Sequence, residues 1–530
     1  MSSLRSCPWA ALMASALLLG ACGGGQAPAP SAPVVSLPLV AAPGVAPTTY
    51  SMAPPDQAAL PAGAPVVVRF SATMDTGSLA LDSDFARQAT ASWSSSTHTN
   101  DTLTLSPPPG GWLGHGPLRF SANDAQGQAL TAEASYDVTV LLQTFQAASA
   151  VIGQPDFSSD AQNAGGAVSA RTLNSPSGKT AIGPQGELFV ADTMNHRVLR
   201  YTLPPPTANA AANLVLGQAG FDQDTMQTSR EGLGEPSDVA ILGTRLAVAD
   251  SGNRRVLLWN TLPTASGTPA DVVIGQADFN SSTSACDARG FAYSVRVAFS
   301  PDGKLLVVDE DNNRVLVWNQ VPTANGTPAD LVIGQSGFER CTANDDNQDG
   351  VFDAQTSART LLYPGDVWTD GQRLVVSDSG NNRVLIWNHF PTTHFQPADL
   401  VLGQSDFAHW MDNDDNQDGA RDGTPSARTL NSPASAHSNG VQLVVADYDN
   451  NRVLIWDRFP TTSFQPADRV LGQSNFTLKA YNDSDQDGQD DLPSAHTASG
   501  PAGALLHGQY LVVTLDGHGG SRVLVFQSSP

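Results

Sequence analysis

The chain has 530 residues, 51 of them acidic and 27 basic, for a formal net charge of −24. That balance repels phosphate backbones and anionic bilayer surfaces, so nucleic acid is not an expected ligand. Beyond the N-terminus no apolar run is long enough to span a membrane.

Arg5 and a short apolar stretch from Ala10 to Leu19 lead into Leu19-Gly20-Ala21-Cys22. About a dozen apolar residues are too few for a permanent span, so residues 1–21 read as a processing signal. The small residues before Cys22 resemble a bacterial lipobox, which implies lipidation of Cys22; an ordinary secretory signal with an incidental Cys22 is the alternative. Gly23 is not the Asp that retains such lipoproteins at the inner membrane, so the outer membrane or cell surface is expected, with the lipid as the only membrane contact. Residues 22–48 are dominated by Ala, Pro and Gly and read as an extended linker.

Residues 49–142 change to short alternating strands: Val66 to Phe70, Thr102 to Leu105, Leu118 to Phe120 and Tyr136 to Val140. This pattern predicts a β-sandwich. Phe70-Ser71-Ala72-Thr73-Met74-Asp75, with Leu103 to Pro107 and Asp124 to Gly127, resembles bacterial Ig-like domains of envelope proteins, which implies a spacer.

From residue 145 to 530 a segment such as Asp378-Ser379-Gly380-Asn381-Asn382-Arg383-Val384-Leu385-Ile386-Trp387 recurs six times, through Arg197, Arg255, Arg314, Arg383, Arg452 and Arg522. Each period holds four β-rich runs separated by Gly, Asn, Asp and Pro turns, which predicts one four-stranded antiparallel sheet. A sheet of this kind cannot bury both faces alone; six around an axis can. The region opens with a lone fourth strand, Ala150-Val151-Ile152, and ends after a third strand, Arg522 to Phe526, so the first segment is expected to complete the last sheet. The fold class is therefore all-β, a six-bladed β-propeller behind a β-sandwich. The Asp-x-x-Asn-x-Arg-Val-Leu pattern resembles the NHL repeat family, whose members include enzymes, nucleic-acid binders and passive docking discs.

Three inserts break the repeat. They are Asp345 to Asp353, Asp414 to Asp422 and Asp483 to Asp491, and each has oxygen side chains at positions 1, 3, 5 and 9 with Gly at 6. Asp345, Asn347, Asp349 and Asp353 are the candidate ligands of the first, with the backbone carbonyl of Val351 at position 7. Asp414, Asn416, Asp418, Asp422 and Ala420 correspond in the second, and Asp483, Asp485, Asp487, Asp491 and Gln489 in the third. Such a loop wraps a hard cation, and calcium is the expected ion; a solvated acidic turn is the alternative. Arg255 to Arg314 spans 59 residues, whereas Arg314 to Arg383 and Arg383 to Arg452 span 69, so the insert has a discrete length. The loops resemble those of dockerin and thrombospondin type 3 repeats. Position 12 is Thr356, Pro425 or Ser494 rather than Glu, which implies weak affinity of roughly 10⁻⁴ to 10⁻³ M.

Cys286 and Cys341 follow equivalent Gly-Gln segments of neighbouring repeats and form either a disulfide or two free thiols. Arg171, Arg230, Arg289, Arg359 and Arg428, with His496 at the sixth position, precede the inner strands, where pairing with Asp or with carbonyls is the expected role and a ring-shaped anion site is the alternative. Arg296, Trp368 and His437 replace small residues in inner strands, and Asp238 and Asp366 begin theirs near the expected channel. These five form a candidate channel site. The sequence favours a monomeric, non-catalytic binding module for a protein or envelope glycan. A propeller hydrolase, lactonase or lyase working in the channel is the alternative.

Overall fold

The computed structural model describes residues 48–205, 209–516 and 520–528, and the signal, Cys22 and the linker before Thr48 lie outside them. Residues 48–530 form one compact unit. Among the described residues no helix is long and apolar enough to cross a membrane.

The N-terminal part is a sandwich of two four-stranded sheets, with Val66–Phe70 and Thr102–Ser106 central in one and Ala129–Thr139 and His115–Asp124 in the other. Ala129–Thr139 alternates exposed and buried residues along most of its length, the period of a strand with one wet face. Val66, Val68, Leu103 and Leu105 meet Leu118, Phe120, Ala132 and Tyr136 in its core.

Six four-stranded antiparallel sheets follow in chain order. The fourth shows why: Pro364–Thr369, Leu374–Asp378 and Arg383–Trp387 are buried throughout, so each run of β-branched and apolar residues needs a neighbour on both faces. Six apolar clusters supply them, one between each pair of consecutive sheets and one between last and first, where Val512 and Val525 pack with Ile152, Leu188 and Val190. Ala150–Ile152 pairs antiparallel with Arg522–Gln527, Val523 opposite Ile152, so both ends of the ring are held in one blade.

The repeated turn has a physical basis. After Asp378 a 3-10 turn, Ser379–Asn381, ends at Asn382 in the left-handed region (φ +53°), a conformation Asn tolerates better than most residues. The chain then reverses into Arg383, whose Nε donates to Asp378 Oδ2 at 2.7 Å. Its Nη1 donates to the Phe407 carbonyl and its Nη2 to the Ser357 and Thr360 carbonyls. One buried Arg thus ties the turn to two connections. Arg197, Arg255, Arg314 and Arg452 repeat the pair with Asp192, Asp250, Asp309 and Asp447. In the sixth blade Leu515 stands opposite Arg522 where the others have Asp.

These turns and the long connections between blades leave the sheets on one side, called here the turn side. The tight hairpins after the inner strands leave on the other, and there the sandwich docks. Gln509 N donates to the Gly110 carbonyl at 3.0 Å, and Val140 N donates to Gln442 Oε1 at 2.6 Å. The approach requires glycine: a Cβ on Gly508, at φ +55°, would lie 2.1 Å from the Gly110 carbonyl oxygen.

Candidate functional site

The three acidic inserts share one backbone. Asn344, Gln348 and Gly350 have positive φ in the first, as do Asn413, Gln417 and Gly419 in the second and Asn482, Gln486 and Gly488 in the third. The Asn that opens the first two is anchored to the following blade, Asn344 exchanging two 2.9 Å amide bonds with Asn381 and Asn413 two with Asn450. This places the inserts on the turn side.

Inside each loop the oxygens are drawn inward by backbone N–H groups. Asp345 accepts from Asp349 N at 3.0 Å and Gly350 N at 2.9 Å, and Asn347 accepts from Asp349 N. Asp353 accepts from Asp346 N at 2.9 Å, closing the loop. Asp414, Asn416 and Asp422 repeat the pattern, as do Asp483, Asp485 and Asp491. In the third loop, carboxylate oxygens of Asp483, Asp485 and Asp491 lie within 4.8 Å of one another, a hard-oxygen donor set that fits calcium. Asp349, Asp418 and Asp487 at position 5 accept from the N–H two residues on, which turns the Val351, Ala420 and Gln489 segments.

The repeated Arg residues have local work. Arg359 pairs with Asp346 at 3.0 Å and Arg428 with Asp415 at 3.1 Å, each fixing position 2 of an insert. In the third loop position 2 is Ser484 and the Arg position is His496, so both members of the pair change together. Arg171, Arg230 and Arg289 donate to the carbonyls of Asn209, Ala270 and Gly326, and Arg230 also lies 3.9 Å from Asp271. Cys286 and Cys341 are joined in a disulfide between neighbouring connections.

The channel candidates fall into two layers. Equivalent inner-strand positions of five blades hold Asp238, Arg296, Asp366, Ser435 and Gly503, and in the first blade Lys179 stands two residues before the strand Ala181–Ile182. Lys179 pairs with Asp366 and lies 3.7 Å from Asp238, all three buried. Burial opposes the Lys179 charge, but the two carboxylates outweigh it and raise its pKa. Burial pushes Asp238 up to about 6 despite Lys179. Asp238 Oδ2 also accepts from Val297 N, Asp366 Oδ2 from Ala436 N and Ser435 Oγ from Ala504 N, so each satisfies an edge N–H of the next blade. Arg296 turns to the Val295 carbonyl and Ser177.

Trp368 and His437 sit two residues further along their strands, ring centroids 6.4 Å apart. His437 Nδ1 accepts from Leu506 N at 3.2 Å, which leaves its N–H on Nε2. Burial, aided by the Lys179 charge, holds this imidazole down at about 3. Lys179 was absent from the sequence-level candidates. Aligning the six inner strands would have found it, as one of three lysines in the chain standing level with two carboxylates.

The two sides of the ring differ in exposed apolar surface. Among the described residues ten large apolar side chains are exposed, and eight belong to turn-side connections: Met194, Met226, Tyr293, Val351, Phe352, Tyr363, Trp410 and Leu492. Val351 and Phe352 lie within the first insert, at 62% and 54% exposure, and Leu492 follows the third at 77%.

No protein-family model matches the chain, and no curated protein matches it significantly. Similar solved structures include a putative phosphatase from Bacteroides thetaiotaomicron, at 13% identity over 92% of this chain and 98% of that one, with a TM-score of 0.37. A streptogramin B lyase covers 68% of this chain and 97% of its own at 9% identity and TM-score 0.34. Virginiamycin B lyase from Staphylococcus aureus covers the same shares at 10% identity and TM-score 0.34. At these values the similarity carries no activity over to this chain.

Proposed function

We propose that this chain is a lipid-anchored envelope protein, displayed at the outer membrane or cell surface, whose propeller is a calcium-stabilised, non-catalytic binding module for a protein or envelope glycan. This reading rests above all on the turn side, where eight exposed apolar side chains share a surface with three acidic loops. Val351 and Phe352 are adjacent and exposed within the first insert, and an apolar patch rimmed by polar groups is the kind of surface that meets a partner. The opposite side is engaged by the sandwich, which acts as the spacer that the Ig-like resemblance implies.

Calcium would be held by the oxygens of positions 1, 3, 5 and 9 and the position 7 carbonyl of each insert. It would fix loops that otherwise carry clustered like charges, so that the partner meets a pre-organised surface. The channel chemistry weighs against the enzyme alternative. Lys179 and Asp366 are paired, an oxygen of Asp238 and one of Asp366 each accept a backbone N–H, and His437 accepts a bond through Nδ1, although Asp238 Oδ1 is buried without a partner among the described residues.

Isothermal titration of calcium into the metal-free protein, with thermal unfolding in parallel, tests the first half. About three sites and a raised unfolding temperature are expected; no heat and no shift would remove calcium from the proposal. Sedimentation with purified peptidoglycan and screening on a glycan array, in calcium and in chelator, test the second. Calcium-dependent retention should be weakened by Trp410→Ala and Phe352→Ala, and retention indifferent to both substitutions would move the partner site elsewhere.

A further inference from the structure

A cavity of about 450 Å³ lies between the sandwich and the hairpin side of the ring. Pro108, Pro109 and Leu113 wall it from the sandwich, and Ile182, Ile241 and Tyr510 from the propeller. A second space of about 330 Å³ opens into the channel mouth, bordered by Phe299, Trp368, His437 and Leu505. The two share Ile182, Ile241 and His507, so the cleft continues into the mouth of the channel. Clefts between domains, apolar with a few polar groups, are where small ligands bind, and both volumes fall in the usual range.

The polar groups at this junction are unusual in being uncharged and partly free. His437 spends Nδ1 on Leu506 N and keeps an Nε2–H. Among the described residues the His507 ring makes no hydrogen bond, although burial holds it neutral, at about 4. A neutral imidazole offers one donor and one acceptor. Lys179 is the one fixed charge among the lining residues, and it is committed to Asp366 and Asp238. A charged ligand would therefore find no free counter-charge and would lose its hydration. An uncharged one would bury apolar surface and satisfy His507.

We infer that the cleft between sandwich and propeller binds an uncharged, largely apolar small molecule carrying a hydrogen-bonding group, seated against Ile182 and Ile241 and bonded to His507. The site is separate from the turn side and does not require calcium. It also gives the sandwich a second role, since Leu113 and Pro109 complete the cavity wall.

The probe is N-phenyl-1-naphthylamine, an uncharged aromatic amine whose emission rises in apolar sites, titrated into the full chain carrying Cys22→Ser in detergent-free buffer. One saturable site is expected, unchanged by chelator and by Trp410→Ala. Leu113→Trp fills the cleft from an exposed sandwich position, and Ile241→Trp fills it from the ring; each should weaken binding at least tenfold. His507→Phe should weaken it about fivefold, the value of one hydrogen bond. Leu113 is 41% exposed, so that variant should keep the wild-type unfolding temperature and decides the matter if Ile241→Trp misfolds. No saturable signal, full binding in Leu113→Trp, or loss on Trp410→Ala would each overturn the assignment.

Discussion

Lys179, two residues before the inner strand of the first blade, pairs with Asp366 from the fourth, 187 residues away and across the channel. Asp238 lies on the same ammonium at 3.7 Å, so one cation holds two buried carboxylates. Removing one partner of a buried pair leaves the other charge uncompensated, which costs about 3–5 kcal/mol. Lys179→Met should lower the unfolding free energy by that amount in urea. Lys179→Met with Asp366→Asn should recover part of it, because the Asn oxygen still accepts from Ala436 N. An unperturbed single variant would mean that the channel charges do not hold the ring.

Arg383 makes four hydrogen bonds, to Asp378 and to three carbonyls, through a planar fork that lysine lacks. Arg383→Lys keeps the charge and loses most of the bonds, so a cost of at least about 2 kcal/mol is expected. Arg522 differs: Leu515 replaces its Asp, it donates to the Phe157 and Thr497 carbonyls, and burial lowers its pKa to about 10. Arg522→Lys should therefore cost less than Arg383→Lys. Chemical denaturation of the two variants checks the order.

The blade pattern was legible because it is local: the Asp, the left-handed residue (Asn in three blades, His196 and Arg254 in the first two) and the Arg lie within six residues of one another. The closing strand Ala150–Ile152 was legible as well, since a propeller lacking one strand at its end and having one spare at its start has a single economical solution. The Lys179 cluster was not, because its members belong to different blades and only the superposed registers bring them level. Docking of the sandwich was equally hidden. It depends on bare backbone at Gly110 and Gly508 and on Gln442 and Gln509, residues with no motif of their own. For Arg359 and Arg428 the expected pairing with Asp is what the fold shows, but their partners are the inserts, not the scaffold.

His437 links pH to stability. Its folded pKa is depressed to about 3 from 6.5 by burial. Its contribution is therefore complete above 6.5 and is lost as pH falls toward 3, at up to about 1.4 kcal/mol per pH unit. Asp238 has the opposite sign. Raised to about 6 from 3.8, it contributes stability below 3.8 that is lost as pH rises through 6. His437→Asn retains an acceptor for Leu506 N and removes the titrating ring. The stability difference between wild type and variant should then drift with pH between 3 and 6.5 and level off above; a difference independent of pH would show that the ring is solvated.

The third insert should be the strongest calcium site. Positions 1, 3, 5 and 9 are all Asp there, whereas Asn347 and Asn416 occupy position 3 in the other two. It also lacks the Arg that sits at 3.0 and 3.1 Å from the first two loops, having Ser484 and His496 instead. More anionic ligands and no adjacent guanidinium raise affinity for a hard dication, within the wide range such loops span. Asp485→Asn should therefore bring the tightest site toward the other two without altering the number of sites, while Asp483→Ala should remove it. Arg428→Gln should act in the opposite sense on the second loop, tightening calcium by taking away a competing cation. Titration calorimetry of these variants distinguishes the outcomes. A tightest site that survives Asp483→Ala would assign the strongest binding to another loop.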